Sequence, residues 1–124
     1  MRKELEEKLI KKFPNALKGY SKSPKESLMC FGFEYGDGWY ELTEKLLTLL
    51  TKLDPNVELV QAKEKFGEMT IYLLTTSSEA LDLTEEYAEK SRSVCEVCGK
   101  KGEIRNHFGW LKTLCDEHYI EWIR

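Results

Sequence analysis

Three cysteines and a histidine at the spacing Cys95-x2-Cys98-x16-Cys115-x2-His118 constrain this chain more than any other feature. A pair of soft donors two residues apart fits one tight turn. Two such pairs supply the four ligands of a tetrahedral zinc shell. A closed shell leaves no position for water or substrate. The pattern therefore predicts one structural Zn2+ and a local fold, and says little about activity.

The residues around the ligands suggest how that fold is built. Cys95-Glu-Val-Cys98-Gly99 reads as a knuckle, with Gly99 free to take the positive φ that turns backbone amides toward a thiolate. Residues 102–106 and 109–114 form a short hairpin in this reading. Cys115 then opens a terminal helix, whose positive N-terminal end suits a thiolate. Knuckle, hairpin and helix in that order are treble-clef-like. His118 is the expected fourth ligand; His107, beside Asn106, is the alternative. Cys30 lies in an apolar stretch and is expected as a buried free thiol. Copper or iron also suit such donors, whereas oxygen-seeking metals do not.

Upstream, residues 2–13 carry Leu5, Leu9, Ile10 and Phe13 at helical spacing, and Pro14 stops them. Residues 14–27 read as a loop. Residues 28–35 read as a strand with Phe31 and Phe33 on one face. After Gly36-Asp37-Gly38, Asp37 is expected to cap a helix whose core positions are Trp39, Leu42, Leu46, Leu49, Leu50 and Leu53. Residues 57–65 and 68–74 form a hairpin turning at Phe66-Gly67. Residues 76–79 look like a capping box for a helix running to about residue 90, with Ala80, Leu83, Tyr87 and Ala88 inward. The result is an α+β fold: a small three-stranded antiparallel or mixed sheet with helices, plus the C-terminal finger. Residues 1–94 make the α+β domain, and residues 95–124 the zinc module packed on it.

Charge bears on the choice of partner. The 124 residues carry a net −3, unevenly spread. Residues 1–27 hold eight Lys/Arg against four acids, residues 28–94 six against thirteen, and residues 95–124 five against five. Three thiolates around one Zn2+ add about −1 to the finger. This is a poor footprint for a strong nucleic-acid binder, and the N-terminal stretch is the only basic handle. No apolar run approaches the roughly 18 residues of a membrane span. Residues 1–8 lack the apolar core of a secretory signal, so a reducing cytoplasm is expected, with the cysteines on zinc rather than in disulfides.

No Ser/His/Asp set, nucleophile elbow or phosphate loop is present. A metal-dependent nuclease of the HNH kind needs a base histidine and a second metal site. His107 with Asn106 makes only part of one. Two other segments stand out. Asp37 and Trp39 sit at a strand-to-helix junction, as an N-cap and a core anchor or as ligand contacts. Lys63, Glu64, Lys65 and Phe66 surround a hairpin tip, as a solvated turn or as anion partners. Brought together, they would form a polar pocket with Trp39 as its stacking face.

The segments MCFGFEYGDGW (29–39), VELVQAKEKFGEM (57–69) and CEVCGKKGEIRNHFGWLKTLCDEH (95–118) resemble small proteins common in tailed phages and prophages. In these, GDGW-like and KEKFG-like elements precede a Cys/His finger. Glu68 departs from them, standing where the relatives tend to carry a second Gly. The resemblance implies zinc ligation by Cys95, Cys98, Cys115 and His118 and an accessory role in the host cytoplasm, and it implies no reaction. The expected function is a non-enzymatic zinc-containing protein that binds a host protein, for example a defence component. Trp39, Trp110 and Trp122 would be its anchors where exposed. A nucleic-acid-binding finger, an HNH-like nuclease and a protein that sequesters a small molecule are the alternatives.

Overall fold

The computed structural model describes all 124 residues as an α+β fold. The order is α1 (Lys3–Lys12), β1 (Phe33–Glu34), α2 (Tyr40–Leu53), β2 (Glu58–Lys65), β3 (Glu68–Leu74), α3 (Ser78–Ser91), β4 (Glu103–His107), β5 (Trp110–Leu114) and α4 (Asp116–Ile123). β1 runs parallel to β2, and β2 antiparallel to β3, giving a mixed three-stranded sheet; β4 and β5 pair separately. No helix is long and apolar enough to cross a membrane.

The register divides the main sheet cleanly. Ala62 faces Ile71, and Glu64 faces Met69, on the inner side. Gln61 faces Tyr72, Lys63 faces Thr70 and Lys65 faces Glu68 on the outer side. Ala62, Met69 and Ile71 join Leu9, Phe33, Trp39, Leu46, Leu47 and Leu50 in one core. Helix α3 is capped as a Ser-initiated helix should be, one residue later than the spacing predicts: Ser77 Oγ accepts from Ala80 N–H at 3.1 Å.

The strand expected over residues 28–35 shrinks to two residues. Ser27 Oγ accepts from Met29 N–H and opens a 3-10 turn through Phe31, and Gly32 then takes φ 72°. The open side of Gly32 admits the Glu6 carboxylate, whose Oε2 accepts from Phe33 N–H at 2.6 Å. Phe31 and Phe33, expected on one face, are consequently split, Phe31 exposed and Phe33 buried, and Cys30, expected buried, is half-buried. On α2, Leu47 is buried and Leu49 and Leu53 are exposed, because the helix turns Thr43, Leu46, Leu47 and Leu50 toward the sheet.

Asp37 also departs from expectation. It makes no cap bond to the helix after it. Instead its Oδ1 accepts from the backbone N–H of Arg2 at 2.7 Å, and its Oδ2 pairs with Arg2 Nε at 2.7 Å. Arg2 is the residue that opens α1, so Asp37 caps that helix from across the chain.

Candidate functional site

Cys95, Cys98, Cys115 and His118 are brought together, with all four ligand atoms within 4.8 Å of one another. Cys98 Sγ lies 3.8 Å from Cys115 Sγ. His118 Nδ1 lies 3.6 Å from Cys95 Sγ and 3.2 Å from Cys115 Sγ. Tetrahedral zinc with Zn–S near 2.3 Å and Zn–N near 2.05 Å sets edges of about 3.8 Å for S···S and 3.5 Å for S···N. The cage has the size of one such ion. No other cluster of three or more His, Cys, Asp or Glu donors is assembled, and His107 is not in this one.

Local structure places each ligand. Gly99 takes φ 81° and donates to Cys95 O at 2.9 Å, closing the knuckle. Phe108 and Gly109, both at positive φ, turn β4 into β5. Cys115 then opens α4, putting His118 one turn along the same helix. On the far side of the His118 ring, Nε2 lies 3.9 Å from a Glu121 carboxylate oxygen, beyond hydrogen-bond distance. Arg105 bonds Leu114 O and Asp116 and lies 4.7 Å over the Tyr119 ring, fastening the helix start to the hairpin.

Electrostatics favour a cation here. Burial pushes the Cys95 thiol up, but backbone amides of Cys115, Cys98 and Val97 directed at its sulfur outweigh this and hold it below the ordinary thiol value. Cys98 is pushed up, by desolvation and by the Cys95 and Cys115 sulfurs beside it. Thiols packed at these distances repel as thiolates unless a cation sits between them.

The two unusual segments do not form a shared pocket; each holds the finger. A methyl group on Gly36 or Gly38 would collide with the knuckle backbone at Cys95 and Glu96. Gly38 N–H donates to Glu96 O at 2.8 Å, and Gly36 N–H to Glu96 Oε2 at 3.0 Å. Trp39 is wholly buried, with its indole N–H on Val94 O at 2.8 Å, so it offers no stacking face. At the other element, Glu64 Oε2 accepts from Gly67 N–H at 2.7 Å, and Gly67 O accepts from Thr113 Oγ1 of β5 at 2.6 Å. Gly67 also lies against Ile104.

A different cleft forms where the β2–β3 tip meets the finger. Its volume is about 790 Å3, and it is lined by Lys65, Phe66, His107, Phe108, Trp110 and Trp122, among others. The His107 ring stands edge-on to Trp122, with centroids 5.4 Å apart, and 4.5 Å from Phe108. Of the two segments singled out in the sequence, Glu64, Lys65 and Phe66 line this cleft, and Asp37, Trp39 and Lys63 do not. Phe108 gives no sequence signal beyond the Phe-Gly pair it shares with the other tip.

The fold and these residues define an α+β protein with a Cys3His centre able to hold a metal ion. Among known proteins, no family model, curated protein or solved structure matches the chain.

Proposed function

We propose that this is a non-enzymatic zinc-containing binding protein. One Zn2+ closes the Cys95, Cys98, Cys115 and His118 shell, and the finger it stabilises presents an aromatic surface to a protein of the host cell. The phage-accessory reading of the sequence motifs belongs to this proposal.

A single observation carries it. Phe66 and Phe108 hold left-handed backbone, φ 53° and 52°, at the tips of two separate hairpins, with 72% and 92% of their surface exposed. Left-handed backbone costs a bulky residue about 1–2 kcal/mol, and a two-residue turn of this kind prefers Asn-Gly or Asp-Gly. Neither ring repays that cost by burial. Exposed rings retained at unfavourable positions on one cleft are suited to anchoring a partner.

The alternatives fare worse. Half of the eight basic side chains in the N-terminal stretch are paired internally: Arg2 with Asp37, Lys12 with Glu44, and Lys18 and Lys22 with Glu58. The remaining four lysines face a chain of net −3, a weak basis for phosphate binding. For a nuclease, His107 has aromatic rings for neighbours and no second donor cluster beside it. The test is native mass spectrometry of untagged protein from its host. One Zn per chain and a protein companion support the reading, provided Phe66→Asn/Phe108→Asn keeps the zinc and loses the companion. A companion retained by that variant overturns the assigned surface.

A further inference from the structure

We infer that the groove across the two hairpin tips docks an extended segment of the partner protein that is apolar and acidic; this rests on reading the protein as a binding module. The aromatic cleft does not end at Phe66. A second groove of about 560 Å3 shares Lys65, Phe66 and Leu111 with it and continues past Thr70 and Tyr72 along the outer face of the sheet. Through these shared residues the two form one continuous open trough.

Its shape selects a chain over a small molecule. A drug-sized ligand is usually 70–90% enclosed by its site. Here Phe66, Trp110 and Phe108 are themselves 72%, 75% and 92% exposed, so they flank an occupant and cannot surround one. An extended peptide with apolar residues set against such ridges needs no enclosure.

Its charge selects an acidic chain. Arg92 is engaged by Glu68 at 3.0 Å, Lys112 lies 3.8 Å from Glu96, and the lining carboxylate of Glu64 accepts from Gly67 N–H at 2.7 Å. Lys65 lies at the trough and Lys63 stands opposite Thr70 on the same sheet face; neither has a carboxylate within ion-pairing distance. Carboxylates of a partner would complete both. A second copy of this chain would bring the same lysines against each other. A nucleic acid would meet a chain of net −3 whose other groove cations, Arg92 and Lys112, already face carboxylates.

Random peptides displayed on phage, panned on the zinc-loaded protein, test this. Phe66→Asn/Phe108→Asn serves as the counter-target, because Asn suits both turns and the variant should melt no lower than wild type. The expected peptides combine aromatic or aliphatic residues with Asp or Glu. They should bind the double Asn variant, and separately Lys63→Glu/Lys65→Glu, at least about tenfold more weakly. Peptides that need both phenylalanines but ignore the lysine reversal overturn the acidic assignment and leave the binding surface standing. Peptides that ignore the phenylalanines overturn both. Labelled oligo-dT binding the trough more tightly than any selected peptide would assign it to single-stranded nucleic acid and overturn the inference.

Discussion

Gly38→Ala should detach the knuckle from the body of the protein. A methyl group there would lie 2.6 Å from both the carbonyl carbon and the carbonyl oxygen of Glu96, and closer still to Cys95 O. These are backbone atoms, so no rotamer change relieves the clash. The knuckle is held in turn by Cys95 N–H on Lys100 O and Gly99 N–H on Cys95 O. Restoring ordinary contact takes a shift of about 1 Å, whereas a zinc shell tolerates about 0.2 Å. Overpacking costs about 1–3 kcal/mol. Losing the Gly38-to-Glu96 and Trp39-to-Val94 bonds adds about 1–3 kcal/mol for each group left buried and unpaired. A total of roughly 3–9 kcal/mol lowers melting of a chain this size by about 12–36 °C. Calorimetry of the zinc-loaded variant reads the stability, and competition with a chromophoric chelator reads the metal affinity. Gly109→Ala is the control: its methyl meets nothing within 4 Å, but φ 86° makes it cost about 1 kcal/mol with zinc affinity unchanged. If Gly38→Ala melts no lower than Gly109→Ala and binds zinc as wild type does, the GDGW segment is not the seat of the knuckle.

Leu47→Ala should cost about 2–5 kcal/mol in denaturant unfolding and Leu49→Ala less than about 1, since the first side chain is wholly buried and the second exposed; equal losses would refute the orientation of α2. Cys98→Ser should abolish stoichiometric zinc and raise hydrogen exchange throughout residues 95–124, and unchanged protection would show that the metal is not structural. Tyr35 is fully buried, and burial raises its pKa above the ordinary value near 10 despite its bond to Thr43. The unfolded chain therefore releases this proton first. Stability should fall as pH rises above about 10, and Tyr35→Phe should flatten that slope in alkaline denaturant titrations.

What could be read from the sequence depended on how local its cause was. The ligand spacing, the Phe66-Gly67 turn and the amphipathic helices rest on residues within a turn of one another, and they stand where the sequence puts them. The misreadings share another origin. Nothing in residues 28–35 announces that Glu6 will reach Phe33, and nothing near Asp37 announces Arg2; both partners lie about thirty residues away. Glycines hide their partners for the same reason. Gly36, Gly38 and Gly67 read as a break and a hairpin turn, yet each also gives room to another backbone or a bulky side chain of the same molecule.

The placement of those glycines ties the metal to the binding surface. Phe66 belongs to the main sheet and Phe108 to the finger, so the cleft between them exists only while the two bodies are held in register. That register rests on Gly36 and Gly38 against Glu96 and on Thr113 Oγ1 against Gly67 O. All three contacts reach residues between the zinc ligands. Removing the ion frees the knuckle and the start of α4 and thereby uncouples one tip from the other, although no partner need touch the metal. A chelator should therefore abolish binding of any peptide that requires both phenylalanines, while the core around Leu47 and Trp39 melts separately and later. Retained binding of such a peptide in the zinc-free protein would mean that the Glu96 and Thr113 contacts hold the two tips in register without the ion.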